Sequence, residues 1–279
     1  AAWRGGVVVA AGVCGVACRM LVDTSGLDDG PAGSTDASTT SDGSVVVDGG
    51  RTDSGSDGGD GSSPTVDAAP SPCKTRDAAF CDDFDDGLLG AKWTSIELTG
   101  GATLAFDTNA LSPPRSVKAT TPGNLGNTQS AYLRLAGDTV SNASCEFDMQ
   151  IVQAPTGANR RMEVLFVDLA RPNGVSCLHW FEVGAQATFL NGGGVLPDGG
   201  QDYSSDQLPA MPTGSWVHVS FSTDCSTVQV KMNGTQVLSR QAIVVEPRSS
   251  STVGVGLTYT DMGTPGAVLV DNFLCDATP

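Results

Sequence analysis

The sequence predicts an all-β fold, an antiparallel sandwich or jelly roll, for residues 73–279. Apolar and polar residues alternate along several segments, as they do in strands with one buried face. Glycine, proline and Asn-Gly sequences separate these segments where turns are needed. No segment shows the apolar period of an amphipathic helix, so many strands and almost no helix are expected.

Individual strands follow from this alternation. It runs through residues 146–151 and 216–221 and through Thr227–Met232. The sequence Asn233-Gly234 follows the last of these and precedes another apolar segment, which is a strong hairpin signal.

A second hairpin is expected near the middle of the domain. Residues 161–169 and 176–183 have strand patterns, and a segment with Pro, Asn and Gly lies between them. Residues 266–275 form the last expected strand.

Residues 1–17 have the composition of a secretory signal, with Arg4 ahead of an apolar run. Residues 15–18, Gly-Val-Ala-Cys, resemble the lipobox of bacterial lipoproteins, with glycine where leucine is usual. The resemblance implies a lipid-anchored protein that begins at Cys18 and works outside the cytoplasm, at a bacterial outer membrane or cell surface. A membrane-spanning helix is the alternative, but the run is shorter than the roughly 20 apolar residues that spanning requires.

Residues 18–72 are expected to form a lipidated N-terminus and a disordered tether. Residues 23–72 contain ten Asp, one Arg and no aromatic residue. Such a segment cannot bury enough apolar surface to offset its chain entropy, and repulsion between Asp side chains extends it. The folded domain is therefore expected to begin near Cys73 and to continue to residue 279.

The charge of the chain excludes one class of partner. The 279 residues carry a formal net charge of −16, and residues 73–279, with 21 acidic and 12 basic residues, account for −9 of it. Nucleic-acid binding depends on Lys and Arg at phosphates, so no nucleic-acid partner is expected. The lipid is the only expected contact with a membrane.

Short motifs resemble one fold family. Residues 80–87, Phe-Cys-Asp-Asp-Phe-Asp-Asp-Gly, followed by Trp93, resemble the opening strand of concanavalin A-like jelly rolls, which family-16 glycoside hydrolases and LamG-type modules share. Residues 216–219 with the hairpin after them resemble a late strand pair, and residues 270–273 resemble the closing strand. The resemblance covers residues 80–275 and implies a concanavalin A-like β-sandwich, and it concerns fold far more than function.

The catalytic motif of the resembled hydrolases is incomplete in this chain. Those enzymes carry Glu-x-Asp-x-Glu on one strand, and its outer glutamates act as nucleophile and acid/base. Here Glu146-x-Asp148-x-Gln150 has the spacing but lacks the proton donor. Glu163 and Asp168, five residues apart, lie on opposite faces of a regular strand. No catalytic residue is assigned, and an enzyme is not the favoured interpretation.

Carbohydrate or surface-glycan binding is the favoured function. Jelly rolls of this type bind sugars on a sheet face or on rim loops, and sugar sites combine a flat aromatic ring with polar groups. If Phe181 and Val183 face inward, then Trp180 faces outward as a stacking platform, the alternative being that it packs beneath residues 191–200. The expected ligand-binding residues, all outward by the same alternation, are Trp180, Glu182, Asp148, Glu163 and His218.

Two other functions stay open. A diverged family-16-like hydrolase would be favoured by outward carboxylates about 5 Å apart on one face. An adhesion or scaffold module that binds protein would be favoured by an exposed apolar patch in place of a polar groove.

Six cysteines of the folded domain are expected to form three disulfides in an oxidising compartment. Six cysteines allow 15 pairings, and the sequence alone does not choose among them. If the strands pair antiparallel, as the resembled fold implies, a cysteine that opens one strand meets a cysteine that closes its neighbour. The pairs favoured on this basis are Cys145–Cys275, Cys177–Cys225 and, as the remaining pair, Cys73–Cys81, and the main rival is Cys81 with Cys275.

The resemblance also implies a structural calcium ion where the first and last strands meet. Asp83, in the acidic opening, and Asp271, on the closing strand, stand at the matching places. Calcium takes six to eight oxygen ligands, so carbonyls of nearby turns would complete the shell. The alternative is a solvated acidic turn at Asp83, with Asp271 hydrogen-bonded to backbone amides.

Replacing Cys18 with serine is expected to release the protein from the membranes of its bacterial host, because the anchoring acyl chains would be lost. Fractionation into membrane and soluble material measures the release, with Cys14→Ser as the matched control. A Cys18→Ser protein that still sediments with membranes would contradict lipidation at this residue.

Overall fold

The computed structural model describes residues 71–124, 126–137, 142–157, 160–170, 176–195, 201–241, 250–261 and 263–278. They form an antiparallel β-sandwich of the concanavalin A-like jelly-roll type, which confirms the expected fold class. The signal segment, Cys18 and the tether lie outside the described residues and stay predictions, as does the domain boundary near Cys73.

The described residues contain one four-residue helix and fifteen strands. The helix is α1 (Pro72–Thr75), and the strands are β1 (Phe80–Asp82), β2 (Ser95–Thr99), β3 (Thr103–Asp107), β4 (Ser116–Pro122), β5 (Gln129–Gly137), β6 (Asn142–Gln153), β7 (Arg161–Ala170), β8 (Ser176–Gly184), β9 (Thr188–Val195), β10 (Gln201–Leu208), β11 (Trp216–Thr223), β12 (Thr227–Met232), β13 (Thr235–Gln241), β14 (Ser250–Thr260) and β15 (Pro265–Thr278). None of the described residues belongs to a helix long and apolar enough to cross a membrane.

The strands divide between two sheets. Sheet A has the order β13-β12-β11-β6-β15-β4-β3, with β1 also paired to β15. Sheet B has the order β10-β9-β8-β7-β14-β5-β2. Among the described strands, consecutive ones lie in different sheets eight times, for example β6 and β7 or β10 and β11, so neighbours in sequence often lie on opposite sides of the sandwich.

The core is built from the alternate residues that the two sheets turn toward each other. Strand β11 shows the pattern, because Val217, Val219 and Phe221 are buried while Trp216 and His218 are partly exposed. The inward side chains of both sheets form one apolar cluster. Each large side chain in it contributes roughly 1.5–3 kcal/mol by leaving water.

Both predicted hairpins are present. Strands β12 and β13 pair antiparallel, and Asn233 and Gly234 between them have φ angles of 49° and 76°. Two positive φ angles are characteristic of the type I′ turn, whose twist matches that of the strands it joins. Strands β7 and β8 also pair antiparallel over their whole length.

The aromatic and acidic residues of the opening motif, residues 80–87 with Trp93, form a cluster against the closing strand. The ring of Trp93 lies 4.8 Å from that of Phe80 and 4.9 Å from that of Phe273, measured between centroids. Its indole N–H donates to the buried carboxylate of Asp82 at 2.8 Å. The opening strand β1 is thereby fixed against the closing strand β15, with Asp82 opposite Phe273.

The structure contains three disulfides. They join Cys73 to Cys81, Cys145 to Cys275 and Cys177 to Cys225, which are the pairs that the strand ends favoured. Cys145 and Cys275 face each other directly in the β6–β15 ladder, within sheet A. Cys177, on β8, and Cys225, after β11, link sheet B to sheet A.

Removing the Cys145–Cys275 disulfide by changing both cysteines to alanine is expected to destabilise the domain more than removing Cys73–Cys81. The two bonds span 130 and 8 residues, for which chain entropy gives about 5 and about 2.5 kcal/mol. Urea unfolding of the two double variants measures the difference. If the two double variants lose the same free energy of unfolding, loop size is not the main determinant of what each disulfide contributes to stability.

Candidate functional site

The outer face of sheet B presents aromatic and polar side chains together. Phe181 and Val183 of β8 are buried, so the alternation turns Trp180 and Glu182 outward, as the sequence predicted. Trp180 lies opposite Asn191 of β9, and Asn191 lies opposite Ser205 of β10. The candidate site begins at this corner of the sheet.

Two aromatic rings lie side by side at this corner. The rings of Trp180 and Tyr203 are 5.8 Å apart between centroids and tilted by 48°. Tyr203 is 60% exposed, and its strand neighbour on β9 is Gly193, which has no side chain between the two rings. A sugar ring has an apolar face that stacks on such surfaces.

Glu182 is held in a defined position next to these rings. One of its carboxylate oxygens accepts the indole N–H of Trp180 at 3.0 Å, and the other accepts from Arg161 at 2.8 Å. The guanidinium of Arg161 also lies over the ring of Phe189, 4.3 Å from its centroid. Charge-assisted hydrogen bonds of this kind fix the geometry of a polar group before a ligand arrives.

Two further polar groups on this face have unused hydrogen-bonding capacity. Asn191 is buried, its carbonyl oxygen accepts the hydroxyl of Tyr203 at 3.0 Å, and its amide nitrogen has no partner among the described residues. Asp168 has one buried oxygen without a partner among the described residues, and burial raises the pKa of its carboxyl. Buried polar groups without partners are uncommon in proteins and mark places where a ligand or water completes the bonding.

The aromatic surface continues toward the other edge of sheet B. Phe166 of β7 lies opposite Trp180, and its ring makes an edge-on contact with Tyr132 of β5 at 5.7 Å. Tyr132, Phe166, Asn191 and Tyr203 were not among the residues expected from the sequence. Alternation does mark Phe166 as outward, but only strand order brings these four residues to one face.

The five expected ligand-binding residues do not form one site. Trp180, Glu182 and Glu163 lie on sheet B, whereas Asp148 and His218 lie on β6 and β11 of sheet A. Their side chains point away from the core on opposite sides of the sandwich. The alternation distinguishes inward from outward residues but does not say to which sheet a strand belongs, so residues that it turns outward need not share a face. A binding role for any of the five stays a prediction.

Glu163 lies on the face of sheet B but is not solvated, since it is only 3% exposed. A bulge between Glu163 and Leu165 places it opposite Glu182, and its carboxylate accepts the hydroxyl of Thr258 at 2.7 Å. The bulge turns both Glu163 and Phe166 outward, although they are three residues apart.

On sheet A, Asp148 and His218 belong to a polar network. One carboxylate oxygen of Asp148 lies 3.0 Å from His218 Nδ1, and the other accepts from the amide of Asn272 at 2.9 Å. Glu146 is paired with Arg76 and lies 3.8 Å from His218 Nε2. The hydrogen bond with Asp148 and the charges of the two carboxylates raise the pKa of His218. The charged and polar groups of this network bond to one another, so the network is explained by its contribution to the stability of sheet A.

The two expected calcium ligands are each engaged in hydrogen bonds. Asp271 is fully buried and accepts the backbone N–H groups of Leu111, Ser112 and Asn272, and burial raises its pKa to about 6. Asp83 accepts the hydroxyl of Ser71. N–H donors cannot coordinate a cation, so the bonds at Asp271 favour the alternative of a carboxylate held by backbone amides. The described residues hold no group of three or more metal-ligating side chains, and the calcium ion stays a prediction.

His179, the other histidine, lies inside the sandwich next to the Cys177–Cys225 disulfide. Its Nε2 atom is 3.3 Å from the sulfur of Cys177 and 3.4 Å from the hydroxyl of Thr223. Burial and the nearby Arg240 lower its pKa to about 4. The imidazole is therefore neutral near pH 7 and belongs to the core.

Comparison with solved structures shows the same architecture in other proteins. The cellulose-induced protein Cip1 superposes with a TM-score of 0.52 at 16% identity, over 71% of this chain and 97% of Cip1. The alginate lyase A1-II′ of polysaccharide lyase family 7 gives 0.44 at 13% identity, over 62% of this chain and 83% of the lyase. The alginate lyase AlyA1 from Zobellia galactanivorans gives 0.43 at 16% identity, over 60% and 79%. At these identities the likeness concerns the fold alone.

Comparisons of the sequence itself give no relatives. No protein-family model matches this chain. No curated protein matches it either.

Replacing His218 with glutamine is expected to destabilise the domain more at pH 5.5 than at pH 9. The folded-state pKa of His218 is above its ordinary 6.5, so its contribution is complete below pH 6.5 and is lost as the pH rises through the folded-state value. The histidine is partly exposed, and the expected effect is on the order of 1 kcal/mol or less. Urea unfolding across this pH range measures it, with Lys231→Gln on neighbouring β12 as the control. If His218→Gln lowers the free energy of unfolding equally at both pH values, the ion pair between His218 and Asp148 is contradicted.

Proposed function

We propose that the outer face of sheet B binds carbohydrate without cleaving it. The observation that carries the proposal is the pair of adjacent rings, Trp180 and Tyr203, with the fixed carboxylate of Glu182 beside them. Carbohydrate sites use aromatic rings for the apolar faces of sugars and fixed polar groups for the hydroxyls. Both elements are present here on one rigid sheet.

The polar groups on this face suit hydroxyl recognition. Glu182 is a partly exposed acceptor whose direction is set by Trp180 and Arg161. The exposed hydroxyl of Tyr203 is held in place by the buried Asn191, and its oxygen remains an acceptor. A sugar hydroxyl can donate to either oxygen. Cip1, named for its induction by cellulose, is a protein of this fold connected by its name with a polysaccharide.

A location outside the cytoplasm, anchored to a membrane, would give the domain access to polysaccharides. Three disulfides support folding in an oxidising compartment outside the cytoplasm. We propose that lipid at Cys18 and the acidic tether hold the domain at the cell surface, where polysaccharides are accessible.

A glycoside hydrolase is the second candidate, and one observation favours it. Glu163 and Glu182 are cross-strand partners on the proposed binding face, and such partners have Cβ atoms about 4.5–5.5 Å apart. Retaining hydrolases hold their carboxyl groups at a similar separation of about 5–5.5 Å. Binding is preferred because Glu182 is ion-paired with Arg161 and Glu163 is buried. Release of reducing ends from a bound polysaccharide, lost on Glu182→Gln, would establish the hydrolase.

Replacing Trp180 or Tyr203 with alanine is expected to weaken glycan binding about tenfold or more, since a central aromatic contact is worth roughly 2 kcal/mol. A glycan array on the purified protein identifies a ligand, and calorimetry then measures its affinity. Trp216→Ala is the matched control, because Trp216 is partly exposed on the other sheet. Equal affinities for all three variants and the unmodified protein would contradict the site.

A further inference from the structure

Four aromatic side chains form a continuous line across sheet B. They are Tyr203 on β10, Trp180 on β8, Phe166 on β7 and Tyr132 on β5, and they are named here the aromatic stripe. Neighbours along it are either in ring contact, at 5.8 Å and 5.7 Å for the two outer pairs, or direct cross-strand partners, as Trp180 and Phe166 are. The stripe runs obliquely across the strands. Tyr203 lies opposite Gly193, two residues from the strand partner of Trp180, and Tyr132 lies opposite Gly256, two residues from the strand partner of Phe166.

Glycine occupies the two strands that the stripe crosses without an aromatic side chain. On β9 it is Gly193, opposite Tyr203, and on β14 it is Gly254, opposite Phe166. A Cβ atom on Gly254 would lie 2.2 Å from Phe166 Cε1, so the ring of Phe166 occupies the place of the missing side chain. At Gly193 the strand places no side chain opposite Tyr203, whose ring contacts that of Trp180.

The length of the stripe indicates an extended ligand. Tyr203 and Tyr132 are separated by five strand-to-strand steps, from β10 to β5. Each step is about 4.8 Å, so the stripe is roughly 24 Å long. A single sugar or a disaccharide would occupy only one end of it, whereas several consecutive rings of a polysaccharide would occupy all of it.

The charges along the stripe disfavour a polyanionic ligand. Among the described residues, the charged side chains on this face are Glu97, Glu163, Asp168 and Glu182 against Arg134 and Arg161. Arg161 is already paired with Glu182, and burial raises the pKa of Asp168. A chain of uronic acids would bring further carboxylates to an excess of negative charge, which is repulsive over these distances.

We infer that the aromatic stripe binds the main chain of an uncharged polysaccharide, extended across the strands and contacted over several consecutive sugar rings. The inference rests on the proposed function and adds the length and charge class of its ligand. Aromatic rings at intervals take the apolar faces of successive pyranose rings, and the partly exposed carboxylates of Asp168 and Glu182 between them bind hydroxyl groups.

Chain length is the first test. Binding of the full chain to a series from disaccharide to hexasaccharide is measured by calorimetry, with cello-, xylo- and manno-oligosaccharides as probes. Affinity is expected to rise at least tenfold from disaccharide to hexasaccharide. Tyr132→Ala, at the far end, is expected to weaken the hexasaccharide severalfold and leave the disaccharide unchanged, whereas Tyr203→Ala weakens both. An affinity independent of length overturns the extended mode.

A second variant keeps the test valid if Tyr132→Ala does not fold. Gly254→Ala moves the ring of Phe166 without removing any aromatic group. It is expected to weaken the hexasaccharide severalfold, and unchanged hexasaccharide affinity in a folded Gly254→Ala protein overturns the assignment of the stripe.

Charge class is the second test, with hexagalacturonate as the anionic probe. A neutral hexasaccharide is expected to bind at least tenfold more tightly than hexagalacturonate at low salt. Tighter binding of hexagalacturonate overturns this inference while leaving carbohydrate binding established. Binding of no probe in either class overturns the proposed function itself, so the two failures are distinguished.

Discussion

The register between β6 and β15 fixes the arrangement of sheet A. These strands form a long antiparallel ladder, and the Cys145–Cys275 disulfide locks one pair of opposed residues in it. The rings of Phe147 and Phe273 stack on the inner side at 6.0 Å between centroids. A slip by one residue would turn every side chain of a strand to the wrong face, so this bond and these rings define which residues can be inside.

The same ladder has a bulge that produces the polar network on the outer face of sheet A. Asn272 has a φ of 51°, and the register shifts between Asp271 and Leu274. Its backbone N–H binds Asp271 and its side-chain amide binds Asp148, so one residue at the bulge satisfies two buried carboxylates. The two outer faces thus differ in chemistry, since sheet A pairs Asp148 with Asn272 and His218, whereas sheet B presents the rings of Trp180 and Tyr203.

Alternation in the sequence was sufficient to predict the fold class, both hairpins and the inward or outward direction of Trp180 and His218. It was insufficient for the site because sheet membership depends on contacts between distant strands, and Asp148 and His218 consequently lie on the sheet opposite Trp180. The bulge beside Glu163 was also hidden from the sequence. A regular strand would put Glu163 and Asp168 on opposite faces, and that expectation was wrong because the extra residue of the bulge puts both on the outer face of sheet B. Tyr203 was missed for a related reason, since only pairing across Gly193 brings it next to Trp180.

Glycines on the central strands of sheet B make room for neighbouring side chains. Glycine in a strand costs about 0.5–1 kcal/mol relative to alanine, so its use here needs a compensating contact. At Gly192 that contact is internal, because a Cβ atom there would lie 2.5 Å from His179 and 2.8 Å from Arg240. At Gly254 the contact is also internal, because the ring of Phe166 fills the place of a side chain, with Cε1 2.2 Å from where a Cβ atom would lie. Both glycines therefore allow another side chain to pack closely against the strand, which positions His179 in the core and the ring of Phe166 on the outer face.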